Sequence, residues 1–286
     1  MSVSIVLDAH ASVGESPVWC DRRQVLFWVD IGAGVLHRFD PATGEDTAWP
    51  MGRAVACIAL TEGDDLVLGL ADGLFRFAPE TGAMDRIAAP EADRPENRPN
   101  DAAMGRDGRF WFGTMKAEPD GQPRGALYRL DTDLSVHKVL DGLHVSNGLA
   151  VSPDGRTLYL SDSWSEVRRI WAFDMDGQGG LSDRRVFFDT AGLPGRPDGG
   201  CVDADGFYWS AAIDGGRLLR IAPDGRVARE IALPVQKPTK CCFGGPDLDV
   251  LYVTSLGETD PSEHGGALMA LSPGVTGLPE PRFDLR

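Results

Sequence analysis

Short apolar runs separated by turn residues recur along the whole chain. Six segments share one form, in which an aromatic or aliphatic strand is followed by a loop, a second strand and a turn of the P-x-x-G, P-D-G or x-D-G type. One apolar position anchors each segment, and the anchors are Phe27, Leu66, Phe110, Leu158, Phe207 and Leu251. Their spacings are 39, 44, 48, 49 and 44 residues. Repeats of this length, built from short strands and turns, predict the blades of a β-propeller.

The predicted fold class is all-β, a six-bladed β-propeller with a central channel. No segment shows a sustained apolar period of 3.6 residues, so helices are not expected. The repeats are too regular and too short for an array of β-sandwiches, and no linker divides the chain, which predicts a single domain over residues 1–286. The strand-like ends, VSIVLDA and PRFDLR, are expected to pair within one blade and close the ring.

Charge and cysteine content narrow the class of protein. The net charge of −15 over 286 residues argues against a nucleic acid or an anionic membrane as partner, because binding phosphate needs a basic patch. The five cysteines include an adjacent pair and no C-x-x-C, which indicates reduced thiols rather than disulfides or a zinc site. The N-terminus lacks the features of a signal peptide, and no apolar run is long enough to span a membrane. We expect a cytoplasmic protein that is a monomer or a weak homo-oligomer.

Polar residues stand at corresponding places before four of the anchors. Glu15, Asn100, Asn147 and Asp198 lie 12, 10, 11 and 9 residues before them, where the innermost strand of each blade should begin. Because inner strands line the channel, these side chains should meet at one mouth of it. Two carboxylates and two amide oxygens suit a hard divalent cation. The other two blades offer neither a carboxylate nor an amide there, which leaves one side open for a substrate.

Each of these residues, taken alone, has a simpler explanation. Glu15 could be a solvated turn acid, while Asn147 in N-G and Asp198 in P-D-G could be ordinary turn residues. The stretch NRPND (97–101) likewise has the composition of a turn. The common register of four positions favours a site over four unrelated turns.

At these residues the sequence resembles the senescence-marker-protein/gluconolactonase family, which includes regucalcin and bacterial sugar lactonases. The matching motifs run in order through nearly the whole chain. They are GESPVW (14–19), NRPND (97–101), FGTM (112–115), SNGLAVSPDG (146–155), SDS (161–163), PDG (197–199) and KCCFGG (240–245).

The resemblance implies a six-bladed propeller with one divalent metal ion in the channel. Glu15, Asn147 and Asp198 would bind the metal, and Asp198 would also be the general base. Calcium is the metal favoured by these ligand types, although Mg, Mn, Zn and Fe are not distinguished from it.

The resemblance also implies how a substrate is held. Arg98 would bind the substrate's oxygens, and Asn100 would lie beside the metal and contact the substrate or its water. Pro99 would stiffen the NRPND turn that presents them. Glu118 falls where the family has a substrate-contacting acid, although the local sequence TMKAEP departs from the family pattern. The polar loop at residues 116–124 is either part of the rim of the mouth or a plain surface loop.

The function expected from these features is metal-dependent hydrolysis of a sugar-acid lactone, from aldonolactone to aldonic acid. The metal would polarise the lactone carbonyl. Either Asp198 would activate the attacking water as a general base, or a hydroxide held by the metal would be the nucleophile. Two alternatives stay open. One is a calcium-binding, regucalcin-like protein without catalysis, and the other is a phosphotriesterase-like hydrolase on the same scaffold.

Overall fold

The computed structural model describes residues 2–285 as six four-stranded antiparallel sheets. In chain order the strands are β1 Ser4–Leu7; β2 Gly14–Cys20, β3 Val25–Asp30, β4 Val35–Asp40 and β5 Glu45–Pro50 (blade 1); β6 Val55–Leu60, β7 Leu66–Leu70, β8 Gly73–Ala78 and β9 Ala83–Ala88 (blade 2); β10 Asn97–Met104, β11 Phe110–Lys116, β12 Gly125–Leu130 and β13 Val136–Leu143 (blade 3). They continue with β14 Ser146–Val151, β15 Thr157–Asp162, β16 Arg169–Met175 and β17 Leu181–Asp189 (blade 4); β18 Arg196–Val202, β19 Tyr208–Ile213, β20 Arg217–Ile221 and β21 Val227–Ala232 (blade 5); β22 Pro238–Gly244, β23 Val250–Ser255 and β24 Leu268–Leu271, which with β1 form blade 6.

The first strand of each blade lines a closed ring. Each inner strand contacts the inner strand of the next blade, and β22 of blade 6 contacts β2 of blade 1. This arrangement confirms the predicted six-bladed propeller. Five of the six anchor residues lie in the second strand of their blade, and Phe207 lies one residue before β19. Within residues 2–285 no helix occurs, so none could span a membrane.

The core lies between neighbouring blades. The second strands are buried on both faces, and all six residues of β3 and of β19 are buried. Trp28, Trp111 and Trp209 occupy the second strands of blades 1, 3 and 5 and are at most 1% exposed. Because each blade stacks on two others, the second strands read as near-continuous apolar runs rather than as alternating ones.

The chain ends only partly follow the sequence prediction. The N-terminal strand β1 pairs with β24, with Ser4 opposite Ala270 and Ile5 opposite Met269, and completes blade 6. The prediction that PRFDLR pairs in the same blade is wrong for the residues that the structure describes; Arg286 lies outside them. The edge of β24 is already taken by β1. Phe283 instead lies against blade 2, where its N–H donates to the Leu60 carbonyl at 2.8 Å.

Candidate active site

The inner strands all begin at one face of the ring, here called the upper face. Glu15 is the second residue of β2, Asn100 the fourth of β10, Asn147 the second of β14 and Asp198 the third of β18. Each side chain is between 4% and 8% exposed. The four predicted residues therefore lie buried near the upper mouth of the channel, on blades 1, 3, 4 and 5.

A break in pairing register recurs at this level in every inner strand. In β2 it falls between Glu15 and Val18, in β14 between Asn147 and Ala150, and in β18 between Pro197 and Gly200. Such irregularities bend a strand and re-aim its side chains. They let the first residues of each inner strand present polar groups while the rest of the strand packs into the core.

The stretch NRPND is not a turn, contrary to the expectation from its composition. Residues 97–101 are the first five of the eight-residue strand β10. Pro99 is opposite Thr114, and the register break lies between Pro99 and Ala102. A strand with a bulge tolerates proline and can carry polar side chains at the bulge, which explains why turn-like residues occur inside a strand.

A chain of hydrogen bonds joins blades 3, 4 and 5. Arg98 Nη1 donates to Asn100 Oδ1 at 2.7 Å, and Asn100 Nδ2 donates to Asn147 Oδ1 at 2.8 Å. Asn147 Nδ2 donates to Ser163 Oγ at 2.9 Å, and Ser163 Oγ donates to the Pro197 carbonyl. These bonds fix the orientation of both amides and place the residue before Asp198 in the same network.

The two carboxylates share a poorly solvated region. Burial, followed by the charge of Asp101, raises the pKa of Glu15 to about 7. Burial and then the charge of Glu15 raise the pKa of Asp198 well above its ordinary value. Glu15 accepts a hydrogen bond from the Ser16 N–H at 2.6 Å, while no donor within residues 2–285 hydrogen-bonds to the Asp198 carboxylate. Among the described residues Asp198 therefore has no hydrogen-bond donor, and Glu15 has only the Ser16 N–H.

This donor set fits a hard divalent cation. A metal ion would remove the mutual repulsion of Glu15 and Asp198 and use carboxylate oxygens that protein donors leave free. Asn147 keeps its amide oxygen turned towards Asn100 because its Nδ2 is held by Ser163. Within the described residues no group of three or more His, Cys, Asp or Glu side chains is placed to hold a metal. The candidate set instead combines two acids with amide oxygens.

A buried ion pair that sequence reasoning missed lies in the same region. Lys240 of β22 donates from Nζ to the Asp101 carboxylate and, at 2.9 Å, to the Ala102 carbonyl. Asp101 also accepts the Leu149 N–H at 2.8 Å. The pair ties β10 to β14 and β22. The signal in the sequence that could have indicated this pair was the charged Lys240 near the start of an inner strand. Asp101 was expected only to cap a turn.

Arg98 reaches the site through its guanidinium. Burial lowers the pKa of Arg98 to about 10, which still leaves the side chain charged at neutral pH. Its Nη1 also donates to the Pro99 carbonyl at 2.9 Å. Arg98 thus lies next to the amide network.

Glu118 lies apart from this cluster. It is exposed, in the loop that follows β11, and no hydrogen bond or ion pair within residues 2–285 connects it to the four buried residues. The loop itself lies over the upper face, because a Cβ added at Gly121 would be 3.3 Å from the Trp164 ring. Trp164 stacks on His144, with ring centroids 5.8 Å apart. The loop is therefore part of the rim towards blade 4.

Comparison with known proteins identifies the family. The sequence profile described as "SMP-30/Gluconolactonase/LRE-like region" matches residues 13–257. This chain belongs to the SMP-30/gluconolactonase family. It is 38% identical over 289 residues to the 6-deoxy-6-sulfogluconolactonase of Pseudomonas putida, covering 99% of this chain and 98% of the relative. It is 35% identical over 297 residues to a pentonolactonase of Haloferax volcanii, covering 100% and 99%.

The solved structures of SMP-30/gluconolactonase proteins agree with the fold. The calcium-binding protein regucalcin from Agrobacterium tumefaciens superposes with a TM-score of 0.93 at 28% sequence identity, covering 99% of this chain and 97% of that one. At this coverage the likeness of fold extends around the whole ring.

Proposed function

We propose that this protein is a sugar lactonase that uses one divalent metal ion to hydrolyse an aldonolactone to the aldonic acid. The observation that carries the proposal is the buried cluster at the upper mouth, in which the charge of Glu15 raises the pKa of Asp198 beside the bonded amides of Asn100 and Asn147. Full-length similarity to two named sugar lactonases supports it.

Three residues would hold the metal ion, namely Glu15, Asn147 and Asp198. Calcium takes six to eight oxygen ligands, so three protein side chains leave positions for water and substrate. When bound, the ion would supply Lewis-acid polarisation of the lactone carbonyl.

The chain's own residues supply orientation and proton transfer. Arg98 donates hydrogen bonds to substrate oxygens through its planar fork, and Asn100 holds the amide network beside the reacting carbonyl. Asp198 takes the proton from the water that adds to the carbonyl carbon. It returns that proton to the ring oxygen as the ring C–O bond breaks, so the reaction needs no redox cofactor. A role for Glu118 in substrate contact requires the loop at residues 116–124 to bring it inward.

Measuring lactone hydrolysis by the purified protein tests the proposed lactonase function. The purified protein, stripped with a chelator and then reloaded with Ca²⁺, Mg²⁺ or Mn²⁺, is assayed on gluconolactone, xylonolactone, arabinonolactone and galactonolactone. We expect hydrolysis of at least one lactone that is lost on chelation and restored by a divalent ion. Tight metal binding without turnover on this panel would favour the calcium-binding alternative, and turnover of phosphotriesters alone would favour the phosphotriesterase alternative.

That the protein is cytoplasmic, and a monomer or a weak homo-oligomer, stays a prediction. A sedimentation experiment with the metal-loaded protein tests the second point.

A further inference from the structure

A cavity of about 340 Å³ lies beside Arg98 on the upper face, between blades 2 and 3. Ala71, in the turn after β7, and Ala89, after β9, line it on the blade 2 side, and Asn97 and Pro99 of β10 line it on the blade 3 side. Its volume is within the range of small-ligand sites. The three candidate metal ligands do not line it, so this side cavity adds to the site described above.

The side cavity has a buried acceptor without a donor. Asn97 is 4% exposed, and its Nδ2 donates to Glu91 Oε2 at 3.1 Å and to the Arg124 carbonyl at 2.9 Å. These bonds fix the orientation of the amide. The Asn97 Oδ1 atom is left buried without a hydrogen-bond partner among the described residues. A buried acceptor without a donor is unfavourable, so Asn97 carries an unpaired polar atom in the wall of the side cavity.

Arg98 connects the side cavity to the polar cluster. Its Nη1 donates to Asn100, which is bonded to Asn147, and Arg98 also lines the cavity. No acceptor within residues 2–285 takes the N–H groups of Arg98 Nε or Nη2. Donors are thus available to a ligand that extends past Arg98 from the metal-binding residues.

The charges that line the side cavity balance. Arg86 and Arg98 are matched by Asp72 and Glu91. Asp72 is already paired with Arg86 at 2.5 Å, and Glu91 accepts hydrogen bonds from Asn97 and Tyr128. The remaining walls are mostly alanine and proline. A lining with no net charge favours a neutral hydroxylated group over an anion.

We propose that the side cavity receives the exocyclic hydroxymethyl arm of a neutral six-carbon aldonolactone, so that the enzyme prefers hexonolactones to pentonolactones. The inference rests on the proposed lactonase function. Hydrolysis places the lactone carbonyl at Glu15, Asn147 and Asp198, and Arg98 binds oxygens of the ring. The hydroxymethyl arm projects out of the ring from C5, and the side cavity beyond Arg98 is then left for this arm.

Two substrates that differ by one group test this directly. D-Xylono-1,5-lactone is D-glucono-1,5-lactone without its hydroxymethyl arm. We expect Ala71→Leu and Ala89→Leu, which fill the side cavity from two sides, each to lower kcat/KM for the gluconolactone by about 10-fold or more. The value for the xylonolactone should change by less than about 2-fold, because that substrate places nothing in the cavity.

Ala83→Leu is the matched control. Ala83 lies at the start of β9, at the lower end of the same blade, and is exposed. Ala83→Leu should leave kcat/KM unchanged for both the gluconolactone and the xylonolactone. Equal losses on both substrates for the two filling variants, or no loss on either, would overturn the inference. So would a wild-type preference for the xylonolactone or for a lactone with a sulfonate at the terminal carbon.

The proposed function and this inference fail in different ways. Absence of turnover by the metal-loaded wild type on both lactones defeats the proposed function. Calorimetric titration with gluconate and xylonate then decides the inference, which stands if gluconate binds more tightly and the filling variants abolish the difference. It falls if the two sugar acids bind equally.

Discussion

A carboxylate that is buried without a hydrogen-bond donor is unfavourable unless another charge compensates it. Asp198 is such a group, and Glu15 lies close enough to raise its pKa further. Natural proteins keep arrangements of this kind mainly where they bind ions or do chemistry. The two acids therefore support the proposed site at the upper end of the channel.

Changing Asp198 tests its role as base. We expect Asp198→Asn to lower kcat by about 10²–10⁴-fold, because the amide cannot accept the proton from water. The matched control is Asp224→Asn, since Asp224 occupies the same P-D-G sequence in an exposed turn. Steady-state kinetics on the preferred lactone, with metal content measured for both variants, gives the answer. An active Asp198→Asn protein with normal metal content would refute the assignment.

The raised pKa of Glu15 makes the metal-free protein sensitive to pH. The folded state holds this proton more tightly than the unfolded state, so its contribution to stability is complete below about pH 4.5 and is lost as the pH rises through about 7. That contribution is about 3 kcal/mol at most. We expect urea unfolding in chelator to show lower stability at pH 8 than at pH 5, and saturating Ca²⁺ to reverse the loss.

Glu15→Gln provides the comparison for that experiment. It removes the titrating group, so the metal-free variant should show a flatter dependence of unfolding free energy on pH, with the remaining slope due to Asp198. Calorimetric titration should show that it binds Ca²⁺ at least about 10-fold more weakly, because one anionic ligand is lost. Identical pH dependence in the wild type and Glu15→Gln would contradict the role given to Glu15.

Among the elements, each inner strand has a polar part and an apolar part. Their first residues carry polar groups at the register breaks, and their later residues are apolar and packed between blades. The Lys240–Asp101 pair stands at the transition, joining β22 to β10. Because both partners are buried, the pair holds the strand that carries Arg98 and Asn100.

Breaking this pair should be costly. We expect Lys240→Met to lower the free energy of unfolding by about 3–5 kcal/mol, since it leaves the Asp101 charge buried and unpaired. Lys138→Met is the control, because Lys138 pairs with Asp141 at the surface and should contribute no more than about 1 kcal/mol. Denaturant titration measures both. Adding Asp101→Asn to Lys240→Met should recover part of the loss, and equal effects of the two lysine variants would count against the buried pair.

At the scale of the whole molecule, the two ends of the described chain pack against different blades. The N-terminal strand β1 completes blade 6, while the C-terminal segment leaves blade 6 and crosses the lower face. Arg106 of blade 3 donates to the Pro279 carbonyl at 2.9 Å, and Phe283 packs between blades 2 and 3. The segment therefore links blades that are distant from blade 6 in the ring.

Phe283 attaches the C-terminal segment to blades 2 and 3 by apolar packing. It is fully buried, so Phe283→Ala should lower the free energy of unfolding by about 3–5 kcal/mol. Val186→Ala is the control, because Val186 is 54% exposed and should have little effect. Thermal unfolding of the two variants beside the wild type tests the point. A C-terminal segment that contributes nothing to stability would leave the Phe283 variant unchanged.

The sequence by itself determined the fold, because strand and turn preferences are local and the six repeated apolar strands show which positions each blade buries. It also picked out Glu15, Asn100, Asn147 and Asp198, since residues in the same register of a repeat occupy equivalent places in a ring. Only the tertiary structure decided that NRPND is a bulged strand, that Lys240 pairs with Asp101 across the channel and that Phe283 packs against blades 2 and 3. Those contacts join segments that are far apart in the chain. They depend on which buried charges need a partner and which apolar spaces need filling in the closed ring, and the sequence alone does not show this.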